Sequence, residues 1–261
     1  MFQAVESNVT RPAVLVTGGA KRIGAEIART FAADGWHVVI HYGRSAAEAE
    51  ALADSLPSAE IVQCDLADTG AAIAMVEALV ARLADWRLLI NSASVFEPDE
   101  ATGLDIRVFD RAMAINARTP VAMAQTYLAT AIAANGRRVV MVTDQKIANP
   151  NPDFFSYSMS KHALAASIPM LAMAHAIGDD RIYGLAPGAI LPSHDQRPEE
   201  TEVSHRLNLL QRKTGADEVA EACLFLATGY LASGQTLFVD SGQHLLRQSR
   251  DVIYLARGEE S

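Results

Sequence analysis

Short apolar runs alternate with longer stretches of helical period along nearly the whole chain. Ala13-Val14-Leu15-Val16 has the length of a buried strand, and Ile23, Ile27 and Phe31 then recur on one helical face. Trp36 to Ile40 predicts a second strand, and the alanine-rich stretch from Ser45 to Leu56 a second helix. The alternation continues with apolar runs at Ile61-Val62, Leu88-Leu89-Ile90, Val139 to Val142, Ile182 to Leu185 and Thr236 to Val239. Between them the periodicity predicts a helix over 71–83, one long helix over 108–134, a helix holding Lys161 and another over 217–227. Apolar strands separated by helices predict an α/β fold: one parallel sheet of about seven strands with helices on both faces. Right-handed crossovers make it doubly wound, with the ligand crevice outside the carboxyl ends of the strands. Thr17, Asn91 and Asp144 each stand just past such an end.

Composition narrows the partners. Half of the 261 residues are apolar and a fifth charged, and no linker, repeat or low-complexity tract divides the chain, so a single domain is expected over 1–261. Residues 1–11 read as an N-terminal extension, the polar 193–211 segment as a mobile substrate flap, and charged 247–261 as a C-terminal tail. The net charge of −9 argues against a nucleic-acid backbone or an anionic membrane and favours a small-molecule ligand. With only Cys64 and Cys223, far apart, neither a disulfide framework nor a Cys-rich zinc site is expected, and the histidines show no metal-ligand spacing, so no metal is expected. No apolar signal segment opens the chain, and the uncharged stretch 162–178, interrupted by Pro169 and His175, is short for a membrane span. A cytoplasmic protein is the expectation.

After the first strand comes Thr17-Gly18-Gly19-Ala20-Lys21-Arg22-Ile23-Gly24, leading into the amphipathic helix. Glycines permit close approach of backbone to a pyrophosphate, and the helix N-terminus offers free N–H groups and a positive dipole end. Without a ligand the same residues would be a plain βα turn. Arg44 and Ser45 follow the second strand, where an NAD-type fold carries an acid, and no acid occurs from His41 to Ala47. Arginines and a hydroxyl near the ribose suit a 2′-phosphate, which favours NADPH over NADH; the alternative for Arg44 is a solvated loop charge. Asp65 could accept from an adenine amino group or cap the next helix. Asn91-Ser92-Ala93-Ser94 ends the fourth strand with small polar residues that let backbone and cofactor come close.

Tyr157 and Lys161 share one face of a helix, so an ammonium beside the phenol is expected to lower its pKa and make it a proton donor at neutral pH. Asp144 lies thirteen residues upstream of that phenol. A carboxylate there would repel the developing charge of a ketone oxygen, yet can accept from ring or amino N–H groups of a heterocycle or pass a proton with Tyr157. The alternative is that it caps the following loop.

These residues resemble the classical short-chain dehydrogenase/reductases over nearly the whole length. The resemblance rests on Thr17 to Gly24, Asp65, Asn91 to Ser94, Asn116, Tyr157-x3-Lys161, Pro187-Gly188 and Gly234 to Asp240. Arg22 in place of a loop glycine, the His41-Tyr42-Gly43-Arg44-Ser45 run, Ser94-Val95-Phe96 and Asp144 in place of a serine resemble the pteridine reductases and the bacterial dihydromonapterin or dihydrofolate reductases of short-chain type. The resemblance implies a doubly wound Rossmann fold that reduces a pterin, dihydropterin or dihydrofolate with NADPH. It implies cofactor contacts from Thr17, Gly18, Lys21, Arg22, Ile23 and Gly24 in the first loop and from Tyr42, Arg44 and Ser45 in the second. Asp65, Leu66, Asn91, Ser92 and Ala93 would continue the cofactor site, and Pro187, Gly188, Ile190, Tyr157 and Lys161 would complete it. Asp144, Tyr157, Lys161 and Asn116 would be catalytic, Asn116 by holding a water; a helix kink is its structural alternative. Arg22, Ser94, Phe96, Asp144 and Tyr157 would meet the substrate, Phe96 by stacking on the pterin, although a core or interface aromatic would look the same. A homotetramer is implied as well. Tyr183, Pro192 and Ser241 depart from the family pattern, and Pro169 should remove a hydrogen bond from its helix. Competing expectations are a carbonyl or 3-oxoacyl reductase and a non-catalytic NADP-binding sensor or scaffold.

Overall fold

The structure, a computed structural model, describes residues 11–193 and 196–259. The extension expected at 1–11 therefore falls almost wholly outside the described residues. Seven parallel strands form one sheet in the order β3-β2-β1-β4-β5-β6-β7: β1 Ala13–Val16, β2 His37–Tyr42, β3 Ala59–Gln63, β4 Trp86–Asn91, β5 Arg138–Val142, β6 Arg181–Pro187 and β7 Thr236–Val239. The strand order reverses between β1 and β4, which opens a crevice at their carboxyl ends.

Side chains alternate across the sheet, and both faces are dry. In β1, Ala13 and Leu15 enter one core while Val14 and Val16 enter the other. The first core receives Met75, Val76 and Leu79 of α3 (Thr69–Val80), Met123 and Tyr127 of α5 (Thr119–Thr130), and Leu164, Ile168 and Leu171 of α6 (Phe155–Ala174). The second receives Ile27 and Phe31 of α1 (Arg22–Ala33), Ala49 and Leu52 of α2 (Ala46–Ser55), and Val219 and Cys223 of α8 (Ala216–Ala227). Burial on both faces explains why the strands read as unbroken apolar runs.

The long helix expected over 108–134 is two helices. α4 (Ile106–Met113) and α5 are joined by a π-turn, Ala114–Arg118. Pro120 has no N–H for the carbonyl of Asn116, so the regular ladder cannot pass through this point. The widened turn carries the Asn116 side chain to the end of β4, where its carbonyl oxygen accepts from Val95 N (2.8 Å) and its amide donates to Val95 O (2.9 Å) and Ser160 Oγ (3.0 Å). Pro169, by contrast, does not end α6, which continues to Ala174.

Order also extends into the expected flap. Residues 194–195 lie outside the described residues, but α7 (Pro198–Ser204) follows, with proline in its first turn and Glu200 accepting from Arg197 N (3.2 Å). A fixed φ at the start and acids in the first turn stabilise this short helix without any apolar periodicity. The tail folds back as well: Asp251 caps α9 (Val252–Ala256), whose Val252 and Ile253 are buried, and only 260–261 lie outside the description. No helix among the described residues is long and apolar enough to cross a membrane.

Candidate active site

The loops after β1, β4, β5 and β6, with α7 and the start of α9, enclose a cavity of about 440 Å³. Its floor is the loop between β1 and α1. Gly18 takes a left-handed φ of +65°, and a Cβ on Gly24 would stand 2.2 Å from the Gly18 carbonyl oxygen, so backbone passes backbone with no room for a side chain. The first turn of α1 has no side-chain cap, which leaves its N–H groups for an anion. This cradle fits a dinucleotide pyrophosphate.

Two buried side chains hold the cradle. Thr17 Oγ1 accepts from Ser92 N (2.9 Å) and Ala93 N (3.0 Å), tying the first loop to the fourth. Gly18 N donates to His41 Nδ1 (3.1 Å), so the ring proton sits on Nε2 and faces Cys64 O (3.1 Å). Burial lowers the His41 pKa to about 4, and the ring is neutral. Sequence reading assigned His41 no task; its only signal was a polar residue at the end of an apolar strand.

At the carboxyl ends of β2 and β3, Arg44 is exposed and has no ion-pair partner among the described residues. Lys21 pairs instead with Glu48 (2.5 Å), an acid just beyond the acid-free run. Asp65 accepts from Ala67 N (3.0 Å), but the cap of α3 is Asp68, which accepts from Ala71 N (3.0 Å), so helix capping does not account for Asp65. Tyr42 and Leu66 pack against the two cores. Asn91 donates toward Met141 Sδ (3.3 Å), and its buried Oδ1 has no partner. Tyr42, Arg44, Ser45, Asp65 and Leu66 thus lie beyond the cavity, while Thr17, Asn91 and Asn116 brace its walls. Asn116 stands in the π-turn, with its side-chain amide engaged by Val95 and Ser160.

Gly18, Lys21, Arg22, Ile23, Gly24, Ser92 and Ala93 do line the cavity, as do Ser94, Phe96, Asp144, Tyr157, Lys161, Pro187, Gly188 and Ile190. Tyr157 Oη donates to Asp144 Oδ2 (2.6 Å), and Asp144 Oδ1 accepts from Lys146 N (2.8 Å); the carboxylate both caps its turn and faces the phenol. Lys161 Nζ donates to Val142 O (2.8 Å) and lies 5.6 Å from the Tyr157 ring centre. The expectation that Lys161 lowers the Tyr157 pKa is therefore corrected. Burial, then the Asp144 charge, push the phenol well above its ordinary value, because the phenol meets a carboxylate while the ammonium turns to a carbonyl. Burial also raises the Asp144 pKa and lowers that of Lys161 to about 8.

Phe96 stacks on Phe154 (ring centres 4.0 Å apart) and meets Tyr157 edge-on (4.7 Å). It is a cluster aromatic and a cavity wall at once. Arg22 has a left-handed φ of 55°, and its guanidinium donates to Pro192 O (2.9 Å) and Leu191 O (3.3 Å) across the cavity mouth.

Residues 18–244 match a family model described as enoyl-(acyl carrier protein) reductase. Pteridine reductase 1 of Leishmania tarentolae is 29% identical, covering 91% of this chain and 98% of the relative. Short-chain dehydrogenase reductase 3a of Arabidopsis thaliana is 31% identical over 89% of this chain and 95% of its own length. The crystal structure of FolM alternative dihydrofolate reductase 1 from Brucella canis, complexed with NADP, superposes with a TM-score of 0.85 at 36% identity, covering 92% of this chain and 96% of that one. The chain belongs to the short-chain dehydrogenase/reductase family. Within it, the similarity supports the pteridine reductase-like subgroup.

The family departures leave the reductase cavity almost untouched. Tyr183 is buried in the core with its hydroxyl on Leu231 O (2.6 Å), and Ser241, at φ 52°, bonds Thr214 (2.6 Å). Pro192 contributes only the carbonyl that receives Arg22. More consequential are cavity residues that no motif marked: Lys146, Asp251, Val252 and Ile253, brought in by a turn after β5 and by the returning C-terminal segment.

Proposed function

We propose that this short-chain reductase uses NADPH to reduce a pterin, dihydropterin or dihydrofolate-type ring. The observation that carries the reading is the Tyr157–Asp144 hydrogen bond of 2.6 Å in a cavity also walled by Phe96. The cradle of Gly18, Gly24 and the uncapped first turn of α1 would hold the pyrophosphate, and exposed Arg44 with Ser45 would take a ribose 2′-phosphate. When bound, NADPH supplies a hydride to an electrophilic ring carbon.

This chain's own residues manage the proton. Tyr157 holds it at Oη against Asp144, and the raised pKa of the phenol keeps it there at neutral pH. A ring C=N bond that gains hydride at carbon takes that proton at nitrogen and becomes CH–NH. Asp144 then faces a neutral N–H it can accept from, whereas a ketone would set a developing oxyanion against a carboxylate. Phe96, a wall of the same cavity, would be the aromatic surface against which the heterocycle packs. A cytoplasmic homotetramer belongs to the same reading, and the exposed Met159, Met170 and Met173 on α6 support an interface between subunits there.

The decisive experiment offers the purified protein and NADPH a panel of dihydropterins, dihydrofolate and ketones while NADPH absorbance is followed. Turnover of the dihydropterins or dihydrofolate is expected; turnover of ketones alone overturns the reading.

A further inference from the structure

The C-terminal segment enters the reductase cavity with a buried charge. Asp251 Oδ2 lies 2.6 Å from Lys146 Nζ, both side chains about one-twentieth exposed (6% and 5%). Asp251 N also donates to Asp153 Oδ2 (2.7 Å), and Arg250 Nε reaches the same carboxylate (2.9 Å). Lys146 belongs to the turn whose backbone N–H fixes Asp144, and its ammonium stands 5.1 Å from the ring of Phe154, on which Phe96 stacks. A continuous chain of contacts thus leads from Asp251 through Lys146 and Asp144 to Tyr157. Burying two charges is costly, and an apolar pair of similar volume is commonly at least as stable, so fold stability does not account for this one.

We propose that Lys146 and Asp251 are positioning residues for proton delivery: the C-terminal segment, through this ion pair, holds the turn that aims Asp144 at Tyr157. The inference rests on the reading of Asp144 and Tyr157 as the proton-delivering couple. The charged groups facing that couple are Lys161 from α6, Lys146 from its own turn and Asp251 from the C-terminal segment, with Asp153 and Arg250 paired behind Lys146. Across the couple the two charges oppose one another: Lys146 lowers the Asp144 pKa, and Asp251 raises that of Tyr157. Removing the Asp251 charge leaves an ammonium beside the couple, which then ionises at lower pH; removing Lys146 leaves a carboxylate, and ionisation moves to higher pH.

The test uses the full chain carrying ¹³Cγ-labelled aspartate, with the Asp144 signal assigned by Asp144→Asn and titrated by NMR. Asp251→Asn is expected to lower the Asp144 midpoint and Lys146→Met to raise it, each by on the order of one unit. The double variant Lys146→Met/Asp251→Asn, which keeps the space filled and carries no charge, should return it towards the parent value. With a dihydropterin, each single variant should lose kcat about tenfold, part of the roughly 10²-fold that positioned proton transfer contributes, with NADPH affinity unchanged. A midpoint unmoved in both single variants, or moved the same way in both, overturns the inference. Failure of the parent protein to reduce any dihydropterin or dihydrofolate would instead defeat the proposed substrate, and the NMR titration would still decide the role of the pair.

Discussion

Tyr157 donates its phenolic proton to Asp144 across 2.6 Å, while Lys161, on the same helical face, turns its ammonium to the Val142 carbonyl. The phenolic proton is therefore shared with a carboxylate, and the lysine ammonium is engaged by a backbone carbonyl. Asp144→Asn should leave NADPH binding nearly intact and cut dihydropterin reduction by roughly 10²-fold or more. Binding titration and single-turnover rates measure the two effects separately, and near-normal turnover would remove Asp144 from the mechanism.

Arg44 is exposed beside Ser45 at the end of β2, with no carboxylate engaging it among the described residues. A guanidinium in that position discriminates through the 2′-phosphate. Arg44→Ala should weaken NADPH at least tenfold more than NADH, about 1.4 kcal/mol of selectivity. Equal weakening of the two in a fluorescence titration would refute the assignment.

His41 links the stability of the fold to pH. Its folded pKa, about 4, lies below the ordinary 6.5, so protonation favours the unfolded chain. The contribution to stability is complete above pH 6.5 and is lost as pH falls towards 4, a span worth about 3 kcal/mol. Urea unfolding at pH 7.5 and at pH 5 should show the decline, and His41→Gln should flatten it; an unchanged slope in that variant would assign the loss to other groups.

A methyl group at Gly24 would meet the Gly18 carbonyl oxygen at 2.2 Å, a contact that only a backbone shift relieves. Gly24→Ala should therefore open the phosphate loop at a strain cost of about 1–3 kcal/mol, and the NADPH dissociation constant should rise about tenfold or more. Calorimetric titration of a folded variant with unaltered affinity would show that the loop does not cradle the cofactor.

Much of this protein is written in local pattern. Strand-length apolar runs such as Val14 to Val16 must be buried on both faces, and this forces helices onto both sides of a parallel sheet. The glycine loop before α1 and the Tyr157–Lys161 spacing are equally local, because a turn and a helix bring their residues together whatever the rest of the chain does. The break of the long helix was half legible in Pro120, and α7 in Pro198 and the acids after it, since both are backbone effects of single residues.

Tertiary structure alone decided the electrostatics. Whether Tyr157 meets Lys161 or Asp144, whether His41 is a neutral strut for Gly18, and whether the tail delivers Asp251 to Lys146 depend on burial and on partners brought from distant segments. The strength of a charge interaction follows the distance and dielectric around it, and neither is encoded by spacing along a chain. The sequence by itself therefore determined which chemical groups are gathered at the carboxyl ends of the strands. Packing determined which group holds the proton.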